Sequence, residues 1–386
     1  MVDFWTAALG LSLLLYVLLD GFDLGVGMLF PFAPNERARR HLLSSISPVW
    51  DGNETWLVLA AATLFGAFPL VYSIAVSAFY LPILLMLAGL ILRGVAFEFR
   101  AHAGPTMRRV WDCGFVGGSY VAAFVQGVTV GAFVAGLPIE NGRFVGGPFF
   151  WAQPLALTCG VGLCIGYAMM ASCWLVGKTD GWVRDFGYRW LPCLAASLLA
   201  FLAISLALSL TRHLQVMDRW QQRPMLAAFP LVGLAAGAGL AWGWKQRHDH
   251  WLFPCGAVIF AAAFGTLAAS FLPYMVPFAI TIDQAAAPHS SLTFMFWGAG
   301  VIVLPLTLAY TAAVYFVFRG RVTDADAYEG GGHAPGHLST RLPVDAPTTG
   351  AGKVLDGLVS VVAILSLIRD YARLARGSRN LPRKPK

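Results

Sequence analysis

IAVSAFYLPILLMLAGLIL, from Ile74 to Leu92, runs without a charged side chain and stops at Arg93. A hydrocarbon core about 30 Å thick takes roughly 20 apolar residues of α-helix, so this stretch can cross a bilayer. Similar runs recur along the chain. Apolar stretches broken by charged or Pro/Gly punctuation predict spans at 4–29, 54–72, 74–97, 114–136, 150–176, 190–211, 226–244, 251–273 and 292–318, about nine helices. The second and third are parted only by a tight turn between Pro69 and Ser73. Of the 386 residues, 58% are hydrophobic and 12% charged, which is more apolar than a water-facing surface tolerates. The fold class is therefore all-α, a polytopic membrane protein.

The first run begins at Phe4 and passes into Asp20-Gly21-Phe22-Asp23 with neither a basic leader nor a small-residue cleavage site. It reads as a retained span and not as a removable signal. Basic residues favour alternate loops: Arg37, Arg39 and Arg40; Arg100, Arg108 and Arg109; Lys178, Arg184 and Arg189; Lys245 and Arg247; then Arg319 and Arg321. Cations are retained on the cytoplasmic side, so the N-terminus is predicted outside and the C-terminus on the cytoplasmic side. The same scatter assigns the net charge of +7 to topology and gives no nucleic-acid face. Six cysteines without a CxxC pair or zinc spacing read as small buried side chains. The membrane domain covers residues 1–322; 323–352 is a flexible polar linker, and 353–386 a short amphipathic or interfacial helix with a basic tail suited to anionic lipid.

Charged groups inside spans cost a few kcal/mol each and need a pairing or functional explanation. Three clusters qualify. In Asp20-Gly21-Phe22-Asp23-Leu24-Gly25-Val26-Gly27 the two aspartates, three apart, share a helix face, while the glycines let a second helix approach. They suit a proton-conducting or cofactor-facing pair, or interfacial acids paired to arginines. In Pro48-Val49-Trp50-Asp51-Gly52-Asn53-Glu54-Thr55-Trp56, Asp51 is placed to cap a helix and Glu54 to complete an acidic analogue of the capping box. Two tryptophans, Asn53 and two acids exceed what a cap needs, and acids at the cytoplasmic face can pass protons inward. In Arg93-Gly94-Val95-Ala96-Phe97-Glu98-Phe99-Arg100, Arg93 lies deepest and must snorkel, pair with Glu98 or an aspartate, or meet an anionic group of a partner or lipid.

The eight histidines all fall in loops, helix ends or the tail, which leaves no axial pair to hold a haem within the spans. No metal motif, Walker A sequence or GxSxG elbow is present. A chain of this kind binds no haem alone and needs a partner if it serves redox chemistry.

DGFDLGVG from Asp20, PVWDGNETW from Pro48 and RGVAFEFR from Arg93 together resemble subunit II of cytochrome bd-type quinol oxidases. PYMVPFAITIDQAAAPHSSL from Pro273 and GVIVLPLTLAYTAAVYFVFRG from Gly300 resemble its last span, with features of the cyanide-insensitive branch. The resemblance implies two four-helix bundles plus a peripheral helix, paired with a subunit I that holds two b-type haems and haem d, oxidises quinol and reduces oxygen to water without a pump. It also leaves room for a small accessory membrane subunit and a structural quinone. By match of motif Asp51 is the proton-path acid; Asp20, Asp23 and Glu54 are candidates for the same path as acids at the spans, and Glu54 stands where other members carry Gln. Trp56 falls on the oxygen route, Trp50 and Asn53 lie beside it or beside a bound quinone, and Arg93, Glu98 and Arg100 face a partner or cofactor. Two rival classes remain at this stage: a secondary transporter, although no strongly broken helix pair is evident, and a purely structural partner whose acids only cap and pair.

Overall fold

The computed structural model describes residues 1–211, 220 and 223–322; the linker and terminal helix expected at 323–386 lie outside the described residues. Ten helices carry the architecture: α1 (Val2–Leu29), α2 (Glu36–Ile46), α3 (Trp50–Ala67), α4 (Pro69–His102), α5 (Pro105–Ala135), α6 (Pro154–Lys178), α7 (Gly181–Thr211), α8 (Ala228–Lys245), α9 (Asp249–Phe271) and α10 (His289–Val317). Among the described residues, eight helices are long and apolar enough to cross a membrane. The ninth expected span, α3, stands outside that set because Asp51, Asn53 and Glu54 crowd its opening turns.

Proline sets several boundaries. Pro69, Pro105 and Pro154 each open a helix, where a missing N–H costs nothing. The turn expected between Pro69 and Ser73 is a break at Phe68 alone (φ −133°, ψ 58°), and α4 continues straight through Ser73. The first loop holds an element the spans did not announce. Asn35 accepts a hydrogen bond from the Ala38 N–H at 2.9 Å and starts α2, whose Leu42, Leu43 and Ile46 face inward. Two short β-hairpins, Ile139–Glu140 with Arg143–Phe144 and Tyr274–Val276 with Ile280–Thr281, close connections at the opposite end.

α1 is the hub. It packs on α3, α5, α6 and α9, and every residue from Asp20 to Leu29 is buried. A helix buried all round needs small residues where neighbours cross. A Cβ on Gly25 would overlap the carbonyl of Tyr167 on α6, and one on Gly27 would overlap the Ser119 side chain on α5. These contacts hold the acids of the same motif deep inside the protein.

At the α6–α7 connection, Arg184 donates two hydrogen bonds to Asp249, both 2.8 Å, and Arg321 bonds Asp249 at 2.6 Å. Lys178 donates to the Phe318 carbonyl, and the Val322 N–H to the Lys178 carbonyl at 2.8 Å. Hydrogen bonds to Asp249 and Asp180 raise the Arg321 guanidinium above its ordinary pKa. The end of the described chain is thus tied to the helical body.

Candidate functional site

The three motifs converge on one buried polar cluster. α1 supplies Asp20 and Asp23, α3 supplies Asn53 and Glu54, and α4 supplies Arg93. Arg93 Nη1 donates to Asp20 Oδ1 at 2.9 Å and to Glu54 Oε1 at 3.0 Å. Asn53 Nδ2 donates to Asp23 Oδ2 at 2.7 Å and to the Leu19 carbonyl at 3.2 Å. Asp20 and Asp23 are wholly buried and Arg93 is 1% exposed, whereas the Glu54 side chain keeps 26% of its surface. Glu54 is thus the cluster's edge toward the outside of this chain.

Residues with no motif of their own complete the cluster. Tyr315 on α10 donates to Asn53 Oδ1 at 3.1 Å, which turns the amide nitrogen toward Asp23. On the other side Gln126 donates from Nε2 to the Tyr16 hydroxyl at 2.6 Å and accepts at Oε1 from the Tyr167 hydroxyl at 3.0 Å. The Arg93 guanidinium lies 5.9 Å from the centroid of the Trp50 ring, which also packs against Phe97 at 5.1 Å. A buried pair of this kind is costly to break: removing one partner strands the other charge and costs about 3–5 kcal/mol.

Several expectations change. Asp51 does not cap α3: Val49 is the N-cap, without a side-chain hydrogen bond, and Asp51 lies one residue inside the first turn. The acidic capping box is absent because Glu54 turns to Arg93 instead. Arg93 pairs with Asp20 and Glu54, while Glu98 is exposed on the outward side of α4. Arg100 belongs to a separate cluster. It donates from Nε to Asp112 Oδ1 and from Nη2 to Glu36 Oε2, at 2.5 and 2.9 Å, beside Arg39 and Arg108.

α3 divides its residues cleanly. Asn53, Trp56, Ala60, Thr63 and Ala67 face inward; Asp51, Thr55, Val58, Ala62 and Phe65 form an exposed stripe at helical spacing. Asp51 is the single charged residue of that stripe. Trp56 is fully buried, and its indole N–H has no acceptor among the described residues. Trp50 is half-buried.

As for prosthetic groups, among the described residues no three His, Cys, Asp or Glu side chains come together to hold a metal ion. Buried His41 is bonded at Nε2 to the Val322 carbonyl, 2.9 Å away, and His102, His248, His250 and His289 are exposed at helix ends. His213, His333 and His337 lie outside the described residues. These donors do not fit a haem set between helices.

Residues 1–318 match the family described as cytochrome bd terminal oxidase subunit II. The chain is 28% identical over 367 residues to the cytochrome bd-I ubiquinol oxidase subunit 2 of Escherichia coli, covering 83% of this chain and 95% of that one. To the cytochrome bd ubiquinol oxidase subunit 2 of Bacillus subtilis it is 27% identical over 336 residues, covering 83% and 96%. Its fold is similar to a chain of the bd oxidase from Geobacillus thermodenitrificans, with a TM-score of 0.68 at 18% identity over 82% of this chain and 99% of that one.

Proposed function

The chain belongs to the cytochrome bd terminal oxidase subunit II family, and from that premise we propose that it is the haem-free half of a quinol oxidase, delivering protons and oxygen to chemistry carried out in subunit I. It is a multi-pass protein of a bacterial respiratory oxidase, and the family implies a subunit I partner and haems in the complex. In the proposed division of labour subunit I holds two haems b and haem d, oxidises quinol and reduces oxygen to water. This chain stabilises subunit I, with two four-helix bundles plus a peripheral helix and its N-terminus outside. A structural quinone beside Trp50 and a small accessory subunit belong to the same proposal.

One observation carries the proton role: Asp51 stands alone as a charge on the exposed, largely apolar stripe of α3. An ionisable group on such a face is disfavoured against lipid, and it is accommodated where a partner or a water-filled passage covers it. Glu54, three residues along the same helix, reaches inward to Arg93. Asp51 is therefore the donor at the subunit boundary, with the exposed Glu98 as a partner-facing group; Arg100, 2% exposed, is instead held within this chain by Asp112 and Glu36. Trp56, fully buried and with no acceptor for its indole N–H among the described residues, belongs to the dry path for oxygen.

The test is Asp51→Asn in the intact oxidase. Proton transfer by a placed side chain contributes at least about 10²-fold, so oxygen consumption falls by that order while the haem spectrum and the subunit ratio stay unchanged. Loss of haem and partner together would make Asp51 a scaffold residue, and unchanged turnover would remove it from the proton path.

A further inference from the structure

The Arg93 cluster is unbalanced in both charge and hydrogen bonds. Three carboxylates, Asp20, Asp23 and Glu54, face one guanidinium, and Arg93 is the only cation among the described residues paired with them. Arg93 reaches both of its partners through Nη1. Its Nε and Nη2, together with Asp20 Oδ2 and Asp23 Oδ1, are buried with no hydrogen-bond partner within 3.5 Å among the described residues, the Tyr16 hydroxyl being the one further donor that acts on Asp20.

Unpaired donors and unpaired acceptors in one buried cluster require a ligand that both accepts and donates. A metal cation would satisfy the carboxylate oxygens but not the guanidinium N–H groups. Water satisfies both, and buried waters characteristically make two to four such bonds. The charge excess points to the second component. Asp20 and Glu54 each touch Arg93 directly, and Glu54 keeps access to its surroundings; among the described residues Asp23 is held only by the neutral amide of Asn53. The remaining titratable groups that act on the cluster are the hydroxyls of Tyr16, Tyr167 and Tyr315, and Asp51 beyond Glu54, none of which adds a positive charge.

We propose that the Arg93 cluster is a buried water-binding site and that Asp23 holds a proton there, donating from Oδ1 to water that in turn accepts from Arg93 and donates to Asp20. The site sits wholly within this chain. It goes beyond the delivery role of Asp51 and stands whether or not that role is confirmed.

Two measurements on the purified, complete oxidase decide it. A cryo-EM map that resolves ordered water should show density bridging Arg93 Nε and Nη2 to Asp20 Oδ2 and Asp23 Oδ1. Infrared spectra in H2O and after exchange into D2O should show a protonated-carboxyl C=O band that shifts with isotope, disappears in Asp23→Asn and persists in Asp20→Asn. The proposal is overturned by a map in which these atoms close on one another without density, by a site whose density and stability depend on added Na⁺ or K⁺, or by a carboxyl band indifferent to Asp23→Asn. Should Asp23→Asn fail to assemble, the map and isotope shift of the unaltered complex, repeated with Na⁺ and K⁺ exchanged for a bulky organic cation, still separate water from a metal ion.

Discussion

Arg93 and Arg100 lie two turns apart on α4, and both are almost fully buried, at 1% and 2% exposure, yet their surroundings are opposite. Around Arg100 the cations outnumber the anions: Arg39, Arg100 and Arg108 share Asp112 and Glu36. Around Arg93 one guanidinium serves three acids. The first arrangement is what positive-inside topology produces where a span leaves the membrane. The second has an excess of acid in the protein interior, which neither topology nor packing explains. Burial alone therefore does not mark a functional charge, whereas an uncompensated surplus of one sign does.

Arg93→Met should have the largest effect. It strands Asp20 in a closed site and destabilises the subunit by about 3–5 kcal/mol, read as a lowered unfolding temperature of the purified oxidase and loss of haem on assembly. Adding Asp20→Asn to that variant should restore part of the loss, since the two residues share one contact. An unchanged unfolding temperature in the single variant would break the contrast by showing that the Arg93 pairs contribute nothing. Arg100→Met should cost less, about 1–3 kcal/mol, because Glu36 remains 34% exposed and can take water in place of the lost bonds. A loss equal to that of Arg93→Met would make the two clusters equivalent. Arg321→Ala, at a site where the arginine is 32% exposed and Asp180 51%, should change stability by no more than about 1 kcal/mol. A larger loss would mean that the chain end at Val322 is held chiefly by that ion network and not by its backbone bonds.

Spans and motifs were legible in the sequence because each follows from a local rule: apolar length, glycine spacing, acids next to tryptophans. That Asp20, Asp23, Asn53, Glu54 and Arg93 meet in one cluster was only partly legible. The 20–23 spacing fixes one helix face, but the partner of Arg93 could not be chosen between Glu98 and an aspartate without the fold. Tyr16, Gln126, Tyr167 and Tyr315 were missed altogether. A tyrosine in an apolar run looks like packing, and the bond from Tyr315 to Asn53 spans 262 residues. The available sign was polar atoms at membrane depth, which need partners wherever they are buried. α2 was missed although Asn35-Glu36 before Ala38, Leu42 and Ile46 is a helix-start pattern; its apolar face is short and its composition too charged for a search for spans. Asp51 was read as a cap from residue type alone, but the helix begins one residue earlier, and that shift places the carboxylate on the outward stripe.

The most direct measurement is a reduced-minus-oxidised visible spectrum of the gently solubilised, affinity-purified chain, with every co-purifying polypeptide identified. Haem b and haem d bands should accompany a larger partner subunit and vanish when this chain is isolated alone. A preparation with neither haem nor partner, or haem bands that stay with the isolated chain, would contradict its place as the haem-free half of a bd-type oxidase.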